Sequence, residues 1–288
     1  MEKYTFKQFD AEFPTDDSCL EWIKISRWPH GITCPICDRV TKHHRVTSRP
    51  CYACDNCGHH VYPLADTIFH KSSTSLRTWF HAIFLMASTR CGISAKQVQR
   101  ETGVTYKTAW RMFKQIRLLL SDTPGIFTTE VEADETYVGA AKPGVRGRGA
   151  AGKTIVAGVV ERDGAITASV VPNVKSKTLI PMIEKTTDKS ATVYTDDMPS
   201  YNQLKRIGYN HKVIKHYAKV YVNGDIHTGT IDGFWSLLKR GIDGVYHSVS
   251  PKYLQHYVNE YAFRYSYRKA TSPMFKIVLR RIASKVQS

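Results

Sequence analysis

The sequence predicts an α/β protein in which a mixed sheet with helices follows a small cysteine-bearing β module and a helical segment. Three observations carry this. Five of the seven cysteines are packed between Cys34 and Cys57. Residues 75–121 repeat apolar side chains at intervals of three and four, the period of core-facing helices. From residue 125 onward, alternating β-branched runs are interleaved with amphipathic ones, as strands and helices are in an α/β layer.

At 288 residues the chain exceeds one typical domain, and 42% hydrophobic content is enough for a proper core. Lys and Arg outnumber Asp and Glu by 41 to 25, a net charge of +16 that favours a polyanionic partner, nucleic acid being the commonest. Residues 1–30 carry Glu2, Asp10, Glu12, Asp16 and Asp17 and lack the apolar stretch of a secretory leader. No run approaches the roughly 20 apolar residues of a membrane span. A soluble, intracellular protein with no membrane partner is expected. In that compartment clustered cysteines point to metal rather than disulfides.

Cys34-Pro-Ile-Cys37 and Cys54-Asp-Asn-Cys57 are two C-x2-C knuckles separated by 16 residues. Four thiolates so spaced suit one tetrahedral structural Zn²⁺. Cys51 also forms a C-x2-C with Cys54, and His59 or His60 offers a substitute ligand. Cys19 and Cys91 have no partner at ligand spacing and read as buried small hydrophobes. The stretch between the knuckles is basic and β-like, with Lys42, His43, His44, Arg45 and Arg49, and Arg45 is a candidate DNA contact. That is the make-up of a zinc ribbon whose hairpin faces phosphate.

Leu76, Trp79, Phe80, Ile83, Phe84 and Ala87 form the inner stripe of a first helix. Ser94 can cap a short helix carrying Val98 inward, Gly103 makes a turn, and Thr105 can cap a second helix with Ala109, Met112, Phe113 and Ile116 inward. Tyr106, Lys107, Arg111, Lys114 and Arg117 are then left for DNA. This is the anatomy of a helix-turn-helix, its reading end near Tyr106 and Lys107. A plain helical hairpin with a solvated basic face fits the same pattern.

Residues 131–138 read as a strand carrying Asp134. A glycine-rich basic loop with Arg146 and Arg148 follows, then strands over 154–161 and 165–171 joined by the turn Arg162-Asp163-Gly164. A helix over 176–187, a strand over 191–196 ending in Asp196, a short helix over 201–207, a strand over 212–216 and a helix over 233–240 complete the series. Three strands, helix, strand, helix, strand, helix is the order of an RNase H-like mixed sheet. In that architecture acids from the first strand, a later strand and a following helix converge at one end.

Such convergence suits two Mg²⁺ or Mn²⁺ ions about 4 Å apart, able to activate a water or 3′-hydroxyl and to stabilise a leaving 3′-oxygen. Asp134 would bridge both ions, and Asp196 and Asp232 would hold one each. Lys239 lies seven residues after Asp232, two helical turns along the same face, and would position a phosphate. Glu135 is expected to point away from Asp134 on a regular strand. Asp197 and Asp225 are further rivals. His216 and His227 are accessory candidates for phosphate contact or proton transfer, or structural histidines.

The chain resembles the zinc-ribbon insertion-sequence transposases with a DDE-type catalytic domain, relatives of the Merlin DNA transposons. The resemblance runs through Arg27-Trp-Pro-His-Gly-Ile-Thr-Cys-Pro-Ile-Cys37, Asp66-Thr-Ile-Phe69, Lys107-Thr-Ala-Trp110, Val131-Glu-Ala-Asp-Glu-Thr-Tyr-Val-Gly139, Tyr194-Thr-Asp196 and Phe234-Trp-Ser-Leu-Leu-Lys-Arg240. It extends to Gly244-Val-Tyr-His-Ser-Val-Ser-Pro-Lys-Tyr-Leu254 and Glu260-Tyr-Ala-Phe-Arg264, which look like the family's closing helix.

The resemblance implies an enzyme that binds the terminal inverted repeats of its own element in double-stranded DNA. It would cut there and join the freed 3′-hydroxyls to target DNA. It also implies catalytic Asp134, Asp196, Asp232 and Lys239, and a homodimer or larger assembly on DNA. A prokaryotic host would place it in the cytoplasm, associated with the nucleoid. One departure stands out. The family usually reads His-Thr-Asn-x-Ile-Glu where this chain has His227-Thr-Gly-Thr-Ile-Asp232, with Gly229 for Asn and a carboxylate one methylene shorter. A catalytically impaired or domesticated DNA-binding descendant is therefore the alternative reading, and an RNase H-like nuclease that cuts without joining is a third. The expected division is a zinc-ribbon DNA-binding region over 1–66, a helix-turn-helix domain over 67–124, a catalytic domain over 125–270 and a basic tail over 271–288.

Overall fold

The computed structural model describes residues 4–89, 91–121, 125–139, 152–214 and 229–284. Arg146, Arg148, His216, His227 and Asp225 lie outside the described residues. The chain forms two compact units, one from residues 1–119 and 270–288, the other from Leu120–Lys269.

The first unit opens with α1 (Phe6–Glu12) and α2 (Asp16–Arg27), each started by a capping box in which Thr5 pairs with Gln8 and Thr15 with Ser18. The ribbon follows. Strands β1 (Thr33–Cys34) and β2 (Arg39–Val40) pair antiparallel, and β3 (His43–Val46), β4 (Cys51–Cys54) and β5 (His60–Val61) form a three-stranded sheet.

Helix α3 (Leu76–Ser88) buries Leu76, Trp79, Phe80, Ile83 and Phe84, the stripe that the periodicity predicts. Helix α4 (Ala95–Thr102) is capped by Ser94, whose hydroxyl accepts from the Gln97 N–H at 3.2 Å. It ends at Gly103, whose φ of 72° suits glycine. Helix α5 (Tyr106–Leu119) then begins at Thr105, which accepts from the Thr108 N–H at 3.3 Å.

The second unit is built on a five-stranded sheet. Strands β6 (Glu130–Val138), β7 (Thr154–Glu161) and β8 (Ile166–Val171) pair antiparallel in succession. β9 (Thr192–Asp196) is parallel to β6, and β10 (Asn210–Ile214) is parallel to β9. The order β10-β9-β6-β7-β8 is that of an RNase H-like sheet.

Strict alternation sends the two faces of that sheet into two cores. Val131, Ala133, Ala157, Val159 and Val193 pack with α6 (Ser176–Thr186) and α7 (Gln203–Arg206). Val138, Val156, Val160, Ile166 and Ala168 pack with α8 (Gly229–Gly241) and α9 (Pro251–Ser266). The expected 201–207 helix is a 3-10 turn, Pro199–Tyr201, followed by α7, and β10 begins two residues earlier than the periodicity places it.

The chain ends in α10 (Met274–Ser284), which returns to the first unit and packs against α3 and α2. Its charge reads as a basic tail, but Met274, Phe275, Val278 and Leu279 are buried, a spacing that makes one apolar stripe. No described helix is long and apolar enough to cross a membrane.

Candidate active site

Two clusters of ligand-type side chains stand out among the described residues. The first is Cys34, Cys37, Cys54 and Cys57, one sulfur from each lying within 4.8 Å of the others. Cys34 and Cys57 sulfurs are 3.5 Å apart, and those of Cys37 and Cys54 are 3.9 Å apart. Tetrahedral thiolates on zinc stand about 3.8 Å apart, so this donor set fits the metal. The Thr41 hydroxyl is 3.2 Å from the Cys54 sulfur, and with the Asn56 and Cys57 amides it pulls that thiol down to about 6. Cys51 is outside the cluster because β4 turns it to the opposite side from Cys54; it pairs across the ladder with Val46. His59 and His60 are also outside it. Cys19 is buried as expected, whereas Cys91 is exposed.

The second cluster is Asp134, Glu135 and Asp196, whose carboxylate oxygens lie within 4.8 Å of one another. The register explains the meeting. In the parallel ladder Glu130 faces Thr192 and Glu132 faces Tyr194, where the pairing stops. Two residues further, on the same face, stand Asp134 and Asp196. Glu135 faces the other way, as alternation requires, and accepts from the buried Tyr201 hydroxyl at 3.1 Å. Beyond the last rung its carboxylate still reaches Asp196, so the expectation that Glu135 stays apart from the acid group is corrected. Asp197 is exposed and outside the group. Asp196 is 5% exposed and accepts from the Met198 N–H at 3.1 Å.

Asp232 lies in the first turn of α8, exposed and outside the group of three. Its charge nonetheless reaches Asp134. Burial is the first cause that pushes the Asp134 carboxyl up to about 6, and Asp196 and Asp232 push the same way. The Trp235 and Glu135 N–H groups oppose them. Lys239, exposed, follows in the last turn of α8. Hard carboxylate oxygens converging on one point suit a divalent cation such as Mg²⁺ or Mn²⁺.

Residues that the pattern reading passes over hold this geometry. Glu132 is fully buried, and one of its oxygens accepts from the Thr230 and Ile231 amides at 2.9 and 3.0 Å, at the start of α8. Its other oxygen accepts from Arg162 Nε at 2.9 Å, and Arg162 also binds Glu130. The Trp235 indole N–H donates to Asp134 Oδ2 at 2.9 Å. Each carries a signal in the sequence. Glu132 is an acid two residues from Asp134 on one strand face, and Trp235 lies three residues after Asp232 on the stripe that leads to Lys239.

The DNA-facing candidates divide. Tyr106, Lys107 and Arg111 are exposed on α5, and Lys114 is half-buried with its ammonium over the Trp110 ring. Arg117 is a correction. It is 4% exposed, with its guanidinium over the Phe113 ring, because it falls beside Phe113 and Ile116 on the inner face. Arg45 is a second correction. Asp17 binds it at 2.7 Å, and the Val46 and Arg49 carbonyls take its other donors, so it braces the ribbon hairpin.

Comparison with known proteins places these features. An ISXO2-like transposase domain with a DDE site matches residues 126–266, and a transposase zinc-ribbon domain matches residues 14–60. An uncharacterized protein in transposable element ISH50 of Halobacterium salinarum is 29% identical over 277 residues, 88% of this chain and 92% of the relative. An uncharacterized transposase-like protein of Haemophilus influenzae is 31% identical over 97 residues, 34% of this chain and 77% of the relative. Solved structures are looser matches. A pre-cleavage Mos1 transpososome gives a TM-score of 0.30 at 14% identity, over 66% of this chain and 72% of that one. A simian T-cell lymphotropic virus intasome gives 0.29 at 13%, over 62% and 67%. The chain belongs to the ISXO2-like transposase family, with a DDE domain and a transposase zinc ribbon.

Proposed function

We propose that this transposase binds the terminal inverted repeats of its element, nicks the DNA there and joins the freed 3′-hydroxyls to target DNA. The observation that supports it most is the level placement of Asp134 and Asp196 on adjacent parallel strands, with α8 seated over the first of them. In this reading Asp134, Asp196 and Asp232 hold Mg²⁺ or Mn²⁺, and Lys239 positions a phosphate at the last turn of α8. Divalent ions there supply charge neutralisation and an activated water or 3′-hydroxyl. Tyr106, Lys107, Arg111 and Lys114 contact DNA from α5, and Lys96 joins them, its ammonium 4.8 Å from the Tyr106 ring. The four cysteines hold one structural zinc. Joining two ends calls for a dimer or larger assembly, and the +16 charge suits the polyanionic substrate. Work on DNA in the cytoplasm is part of the same proposal.

The exposed position of Asp232, outside the three-carboxylate group, favours one second reading, a descendant that binds DNA without cutting it. The test is strand cleavage and joining on a labelled duplex carrying the terminal repeat, with Mg²⁺ or Mn²⁺, for wild type, Asp232→Ala and Glu135→Ala. Metal-dependent nicks and joined products that vanish in Asp232→Ala are expected. Loss in Glu135→Ala alone would move the third ligand to β6. Tight binding without cleavage by wild type would favour the second reading.

A further inference from the structure

The helix α8 runs Asp232, Trp235, Lys239 at steps of three and four, so the three share one face. The middle member is 4% exposed and donates its indole N–H to Asp134, not to a backbone carbonyl. Access to that acid depends on a glycine. Gly158 on β7 is the cross-strand partner of Asp134 on β6. A Cβ at Gly158 would stand 2.7 Å from one carbon of the Trp235 ring and 3.0 Å from another. Real side-chain carbons do not approach so closely, so the indole lies over the bare backbone of β7 and reaches the carboxylate beside it.

A buried indole N–H needs an acceptor somewhere, and a tryptophan serving only as core could use a carbonyl or a hydroxyl. Here the acceptor is one oxygen of the strand acid itself. The bond therefore links the setting of that carboxylate to the seating of the helix that carries Asp232 and Lys239. We infer that Trp235 is a positioning residue for the metal-dependent reaction, holding the Asp134 carboxylate through its indole N–H, and that Gly158 is the space that admits it. This rests on the reading of Asp134 as a metal ligand. Groups that orient a ligand from behind typically contribute about 10- to 100-fold to metal affinity.

The test uses the full-length, zinc-loaded protein and Mn²⁺ as the probe, with binding followed by calorimetry and electron paramagnetic resonance. Trp235→Phe keeps most of the ring volume and removes the N–H. Gly158→Ala keeps the N–H and displaces the ring. Both are expected to weaken Mn²⁺ binding about tenfold, while Val258→Ala, which thins the same core from α9, lowers the melting temperature and leaves the affinity at the wild-type value. Asp134→Ala should abolish binding. If Asp134→Ala loses Mn²⁺ while Trp235→Phe and Gly158→Ala keep wild-type affinity, the inference is overturned and the ligand reading stands. If Asp134→Ala itself binds like wild type, the ligand reading fails and takes the inference with it. Should phenylalanine at 235 prevent folding, Gly158→Ala reports on the same bond.

Discussion

At Asp134 the proposed metal-binding role works against stability. Its carboxyl is pushed from an ordinary 3.8 up to about 6, by burial first and by neighbouring acids second. The folded chain thus binds that proton more tightly than the unfolded chain does. Stability falls as pH rises from about 4 through about 6, and above that the full penalty of the buried charge is present. Asp134→Asn is therefore expected to stabilise the zinc-loaded protein in the absence of other metals, by about 3 kcal/mol above pH 7. The gain should vanish below pH 4, and cleavage should be lost at every pH. Melting temperature against pH, set beside the nicking assay, checks both halves. Protons compete for the same carboxylate, so Mn²⁺ affinity is also expected to fall by up to about tenfold per pH unit below 6.

At the scale of elements, α8 is tied at three points. Glu132 caps its first turn, Trp235 ties its middle to Asp134, and its end crosses α9 at Gly241. A Cβ at Gly241 would stand 1.7 Å from the Tyr261 hydroxyl, so the helices cross there only because position 241 lacks one. Gly241→Ala should cost about 1–3 kcal/mol in urea unfolding by overpacking that crossing. It should lower cleavage more than its folded fraction explains, because α8 moves with it. Helix α9 has a second task on the sheet edge. Gln255 accepts from the Val170 N–H and donates to the Ala168 carbonyl, and Ser266 accepts from the Ile166 N–H. Arg268 takes the Gly164 carbonyl. The outer edge of β8 is thereby closed to pairing with another strand.

Across the whole molecule, the chain leaves its first unit at Leu119 and comes back to it for the last helix. Phe275 on α10 stacks on Tyr4 at 5.0 Å and meets Phe9, Phe13 and Phe84 edge-on. Phe275→Ala should cost about 3–5 kcal/mol in the first unit, the usual penalty for emptying an aromatic core site. Differential scanning calorimetry is expected to show that unit's transition falling while the other holds.

Much of this was legible beforehand because local patterns dictate it. The zinc knuckles, the caps at Ser94 and Thr105, the strands over 131–138 and 154–161, and the order of acids along the chain all follow from spacing, and spacing survives in one dimension. The capping boxes at Thr5 and Thr15 are equally local. What spacing does not encode is which side chains meet when strands and helices pack. Glu135 joins the acids beyond the end of the β6–β9 ladder, whose last pair is Glu132 with Tyr194. Arg117 and Arg45 carry charge that the fold turns inward or pairs off, and α10 carries charge on a helix whose other face is core. The place of Trp235 on the stripe from Asp232 to Lys239 is legible, but its bond is not: the bare backbone of Gly158, brought beneath the ring by the sheet, lets its N–H reach Asp134. Periodicity and composition determined the elements and their order. The tertiary structure decided which carboxylates converge and what holds them, because burial and hydrogen bonding depend on distances that exist only after packing.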